Sequence, residues 1–225
     1  MDQYLTDADV RVLGALIEKQ VTTPDNYPLS LNALIAACNQ SSNRHPVVAY
    51  DEETVLAAIQ RLRRASLVRS IQRIDSRVTK HEHIATDTLD LSSNELGLMC
   101  VLMLRGPNTI GELRTRTERL AKFESLADVE TTLNALIERE KDPLVGRLPR
   151  RAGQKEARFA HLLSGAVAAD NVDDHVAAAP VTRQPSDDRI AALEQVVAEL
   201  QSEITDMRQQ LQDFRKQLIE RGEAV

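Results

Sequence analysis

His81 and His83 stand two residues apart in Val78-Thr79-Lys80-His81-Glu82-His83-Ile84. On an extended strand that spacing places both imidazoles on one face and Glu82 on the other. Two imidazoles on one face are half of a zinc site, but no third His, no Cys and no Asp stands beside them to complete it. The pair is therefore expected as exposed histidines of a hairpin, with no metal. Cys38 and Cys100 lie far apart, each on an apolar helical stretch. That placement predicts buried thiols in a reducing cytoplasm rather than nucleophiles or a disulfide. No glycine-rich phosphate loop and no Gly-x-Ser-x-Gly turn occurs. The chain is expected not to be an enzyme and to need no cofactor.

The remaining chemistry is positive charge. The chain of 225 residues has a net charge of −6, which read whole argues against nucleic acid and anionic membrane. The charge is unevenly spread. Residues 1–165 hold 22 Lys and Arg against 22 Asp and Glu, while residues 166–225 hold 6 against 12. The acidic excess belongs to the C-terminal segment. Three basic clumps occur in the neutral part. The first is Arg61, Arg63, Arg64, Arg69, Arg73, Arg77 and Lys80; the second includes Arg114, Arg116 and Arg119; the third is Arg147, Arg150, Arg151, Lys155 and Arg158. These are the candidate contacts to double-stranded DNA, set against the plainer reading of solvated surface. Aromatics make up only 3% of residues and Trp is absent, which disfavours a stacking platform for RNA or single strands. No apolar run reaches the roughly 20 residues of a membrane span. The N-terminus carries no secretory pattern, so a cytoplasmic protein is expected.

The elements that must carry these side chains repeat. Leu5-Thr6-Asp7-Ala8-Asp9-Val10 and Leu91-Ser92-Ser93-Asn94-Glu95-Leu96 each open an apolar helix with a hydroxyl N-cap and an acid three residues later. A second helix follows, over about Ser30–Cys38 in one copy and from Thr109 in the other, where Thr109 and Glu112 form another capping box. Gly106-Pro107 separates the first two helices of the second copy. Third helices carry Val55, Ile59 and Leu62, then Val129, Leu133 and Leu136, at helical spacing. After each, the period shortens to two. Leu67–Arg73 with Val78–Ile84, and Leu144–Leu148 with Ala157–Leu162, read as hairpins. Three helices and a hairpin, twice, predict a mainly α fold with small β-hairpins (α+β). The pattern is that of two tandem winged-helix domains, over residues 1–88 and 89–165.

Residues 166–187 are rich in Ala, Asp and Pro and predict a disordered linker. Over residues 188–221, Ile190, Leu193, Val197, Leu200, Ile204, Met207, Leu211, Phe214 and Leu218 alternate spacings of three and four. That heptad seam predicts a C-terminal coiled-coil helix and a parallel homodimer; the alternative is a helix folded onto its own domains.

Longer motifs connect these elements. Leu16-Ile17-Glu18-Lys19-Gln20-Val21-Thr22-Thr23-Pro24-Asp25-Asn26-Tyr27-Pro28-Leu29-Ser30 runs into Asn32-Ala33-Leu34 and Ala37-Cys38-Asn39-Gln40-Ser41-Ser42-Asn43-Arg44. Arg77-Val78-Thr79-Lys80-His81-Glu82, Leu104-Arg105-Gly106-Pro107, Gly111-Glu112-Leu113-Arg114 and His161-Leu162-Leu163-Ser164-Gly165 follow. Over about residues 1–165 this sequence resembles the YceH-like family of uncharacterised bacterial proteins, departing from its pattern at His45 and His81. The resemblance implies a tandem winged-helix fold in a cytoplasmic bacterial protein. It implies no catalytic or ligand residues. The motif loop bearing Asn39, Gln40, Asn43 and Arg44 is expected to be structural, with Asn39 ending a helix and Asn43 and Arg44 satisfying backbone groups.

A winged helix usually lays its third helix in the major groove. The hairpin arginines suit phosphate contacts. The third helices suit them poorly, because one opens Asp51-Glu52-Glu53 and the other carries Asp128, Glu130, Glu138 and Glu140. The expected function is DNA binding or transcriptional regulation, dominated by backbone contacts and exercised as a dimer. The alternative is a protein-interaction adaptor, a role that tandem winged helices play in bacterial chromosome segregation.

Overall fold

The computed structural model describes residues 4–72, 78–140, 142–149 and 156–165. Contacts divide the chain into two units, Met1–Asp173 and Asp174–Val225, and all described residues lie in the first. The segment predicted as a linker and the heptad residues Ile190 to Leu218 lie outside the described residues. So do five of the basic candidates: Arg73, Arg77, Arg150, Arg151 and Lys155.

The fold is α+β, with helices and small antiparallel sheets. Helix α1 spans Asp7–Thr22. Thr6 caps it, and Asp9 returns the bond to the Thr6 amide in the expected capping box. A 3-10 turn at Pro24–Asn26 and a two-residue strand β1, Leu29–Ser30, lead into α2, Leu31–Cys38. Helix α3 spans Glu52–Arg64 and is capped by Asp51; it buries Val55, Ala58, Ile59 and Leu62. Strands β2, Val68–Ile71, and β3, Lys80–His83, follow, then the short α4, Ala85–Thr88. The second copy begins with α5, Ser93–Arg105, capped by the Ser92–Glu95 box and ended at Gly106 in the left-handed region (φ 71°). Helix α6, Ile110–Thr117, carries the Thr109–Glu112 box, and α7, Leu126–Ile137, buries Val129, Leu133 and Leu136. Strands β4, Val145–Arg147, and β5, Phe159–His161, form the second hairpin.

Two helices occupy the centre. Helix α1 is buried continuously from Asp9 to Ile17, and α5 from Leu96 to Leu104. Helices enclosed so fully need cover on several sides, and each supplies part of the other's. Gly14 makes the close approach possible: a Cβ there would lie 2.9 Å from Leu104 Cδ2. Cys100 faces it, its thiol 3.5 Å from the Gly14 carbonyl. One hydrophobic core runs through both copies and across the boundary expected near residue 88.

The first sheet has the order β1-β3-β2, all antiparallel. Strand β1 was not expected, because two residues are too few to show a period. Its presence corrects the reading of the histidines. Strand β3 is central rather than half of a free hairpin, so His81 and His83 are buried, each at 5% exposure.

Candidate functional site

The exposed surfaces of the two third helices are the first place to seek a partner. On α3, Glu52, Glu53, Leu56 and Gln60 are exposed and line, with Ala57, a shallow depression of about 510 Å3. The acids sit there because a helix N-terminus favours negative charge. Hydrogen bonds from Thr54 hold the Asp51 carboxyl below its ordinary pKa. Arg63 and Arg64 lie at the other end, where the dipole favours cations. On α7 the exposed residues include Leu126, Asp128, Glu130 and Asn134, and no basic residue; the C-cap Glu138 is exposed as well. Leu126 is 50% exposed.

The basic candidates divide into those bound within the fold and those left outward. Arg61 grips the buried carboxylate of Asp9, its Nε 2.9 Å from Oδ1, so it ties α3 to α1. Arg69 pairs with Glu82 across the β2–β3 ladder. Arg116 bonds Glu112 at 3.2 Å and the side-chain oxygen of Asn108. Arg114 donates to the Glu124 carbonyl at 3.0 Å. Among the described residues Arg63, Lys80, Arg119 and Arg147 are exposed and make no ion pair, and Arg158 is half-buried. Arg61, Arg63 and Arg64 sit in the last turn of α3, away from its acidic opening, and α7 carries none of the candidates.

The motif loop is a structural lock. The Arg44 guanidinium is buried and donates to the Ala37 carbonyl, to Gln40 Oε1 and, at 2.6 and 3.1 Å, to both carboxylate oxygens of Glu18. Asn43 lies at φ 58°, a conformation Asn tolerates, and accepts a bond from Arg105. Asn39 ends α2 and pairs with both backbone groups of Tyr50 at 2.8 Å. Sequence reading overlooked Arg11, which is buried and donates to the carbonyls of Cys38 and Pro46. An arginine within an otherwise apolar run was the available signal. Burial, and then the nearby Arg44 charge, lower its pKa.

The two thiols are inert by environment. Burial pushes Cys38 up to about 12 and raises Cys100 as well. His83 Nε2 lies 2.6 Å from Gln20 Oε1, while its Nδ1 is buried without a partner. His161 shares the second feature. Burial lowers both to about 4, so both are neutral imidazoles near pH 7. His81 accepts or donates at 3.0 Å to Ser70 Oγ, and burial followed by the charge of Arg63 lowers its pKa. Among the described residues no group of three or more His, Cys, Asp or Glu could hold a metal ion. No helix among them is long and apolar enough to cross a membrane.

Residues 5–154 match a family described as a protein of unknown function, DUF480. The chain is 52% identical over 200 residues to a UPF0502 protein of Solibacter usitatus, covering 88% of this chain and 94% of that protein. It is 47% identical over 194 residues to one from Opitutus terrae, with 86% and 82% covered. A UPF0502 protein of Vibrio parahaemolyticus is 49% identical over 203 residues, with 88% and 92% covered.

Proposed function

The chain belongs to the DUF480 family of unknown function, and from that premise we propose that it is a cytoplasmic, non-enzymatic tandem winged-helix adaptor. Its third helices dock a protein segment carrying basic and apolar side chains. The repeated order of three helices and a hairpin supports the winged-helix reading, as does the β1-β3-β2 sheet. The observation that carries the docking reading is the α3 depression. Two carboxylates, Glu52 and Glu53, flank an exposed Leu56 at the position where a DNA reader would present donors to base edges. Such a surface repels phosphate and complements a cationic, apolar peptide.

DNA binding is the second reading, favoured by the outward Arg63, Lys80 and Arg147. One experiment separates the two. A photo-crosslinking residue at Leu56 in the full chain is expected to trap a protein in cells, and Glu52→Lys with Glu53→Lys is expected to abolish that product. Duplex binding, measured in parallel, is expected to be weak. Tight duplex binding that falls steeply with salt and is lost on replacing Arg63 and Lys80 by Ala would overturn the adaptor reading. The heptad residues 190–218 support a homodimer. Light scattering should give twice the chain mass for the full protein and once the mass for a chain ending at Gly165; two monomers would refute it.

A further inference from the structure

A second cleft, of about 420 Å3, lies where the two copies meet at the C-terminal ends of α1, α5 and α6. Arg105, Arg116 and Arg119 line it, over a floor that includes Val101, Leu104 and Leu120. Of these, Arg105 and Arg116 feel each other's charge. Burial and then the charge of Arg116 lower the Arg105 pKa; Glu18 opposes them and Arg44 adds a smaller lowering.

Nothing within the described residues balances this charge fully. The Glu18 carboxylate, also at the cleft, is taken by Arg44. Arg105 bonds the neutral amide of Asn43, and Arg119 has no partner among the described residues. Glu112 holds Arg116 at 3.2 Å, which leaves Glu118 as the one acid of the lining free of an arginine partner among the described residues.

The arginines are not spent on capping the helix ends. One carbonyl at each end already has a backbone partner: His45 N–H reaches Leu104 at 2.8 Å, Thr23 N–H reaches Lys19 at 3.0 Å, and Ala121 N–H reaches Thr117 at 2.9 Å.

We propose that this cleft binds a small phosphorylated molecule with an apolar body. Planar guanidinium forks match phosphate oxygens in pairs. The apolar floor takes the rest of the ligand, and the volume falls in the range of small-molecule sites. Because Asn43 and Glu18 belong to one copy and Arg105 to Leu120 to the other, an occupant would bridge the copies.

The test is calorimetric titration of the full chain with AMP and with pyrophosphate, with a short DNA duplex as the third arm. AMP is expected to give a saturable heat. Arg119→Gln, on an exposed side chain, is expected to weaken it about tenfold, as expected for the loss of one charge-assisted contact. Arg105→Gln, with its melting temperature checked, should do the same, and Arg64→Gln should leave binding unchanged. No saturable heat from AMP or pyrophosphate would overturn the proposal. So would equal weakening by Arg64→Gln, or binding of the duplex alone, which would assign these arginines to a nucleic-acid surface.

Discussion

The two copies share their elements and differ in what was inserted between them. Leu34 and Leu113 occupy the same place in α2 and α6, and both are fully buried; Cys38 and Thr117 correspond in the same way. The ladders correspond too. Val68 faces His83 as Val145 faces His161, and the Leu29–His81 pair of β1 has its counterpart in a single bridge between Asn108 and Phe159. The first copy adds the segment between α2 and α3 that brings in Arg44, and its α3 is tied to α1 by Arg61 and Asp9. At the place of Arg61 the spacing of Val129, Leu133 and Leu136 puts Ala135, and no ion pair joins α7 to Glu95 among the described residues. The shared parts are largely apolar. The first copy's additions are buried charges, which bind strongly only when every partner is present.

The largest effect should come from the lock itself. Arg44→Met leaves the Glu18 carboxylate and the Ala37 carbonyl without their donor, and should cost roughly 3–5 kcal/mol in urea unfolding. A loss within the range of an ordinary surface change would erase the distinction between the copies.

Next is a property the copies share. His83 and His161 have pKa values lowered to about 4 in the folded state. The unfolded chain, whose imidazoles titrate near 6.5, then binds more protons between those values. Stability should be full above about pH 6.5 and fall as pH drops toward 4, by on the order of 2–3 kcal/mol per histidine. Thermal melts from pH 7.5 to 4.5 measure this, and His83→Gln should remove about half of the slope assigned to the pair. An unchanged slope would assign the loss to the carboxylates instead.

A smaller cost is expected for Arg61→Ala, about 1–2 kcal/mol, since Asp9 is enclosed but keeps its bond from the Thr6 amide. Glu95→Gln in the second copy should cost only a capping bond, below about 1 kcal/mol. Reversal of that order would break the comparison. The least effect belongs to Arg69→Ala, within about 1 kcal/mol by chemical denaturation, because the Arg69 side chain is 64% exposed.

Much of the fold was legible. Capping boxes and the apolar stripes of α3 and α7 are local signals, and each falls where its residues predict. Strand β1 was not legible, since its only evidence is its partner across the sheet. The site was less legible than the fold. Arg61 and Arg69 look like free cations in a basic clump, and only their neighbours in space show that Asp9 and Glu82 hold them. The histidines misled for the same reason: an alternating pair on a strand is exposed or buried according to what lies against it.

The sequence alone determined the main helices, the capping boxes at Thr6, Ser92 and Thr109, the repeat and the acidic openings of α3 and α7, because hydrogen-bond closure and apolar periodicity act over a few residues. It also determined the family, through motifs spread along the chain. Tertiary structure decided which charges remain available. It buried Arg11 and Arg44, paired Arg61, covered His81 and His83, and brought Arg105, Arg116 and Arg119 to one cleft. Burial and pairing are sums over residues distant in the chain, so no window of sequence contains them.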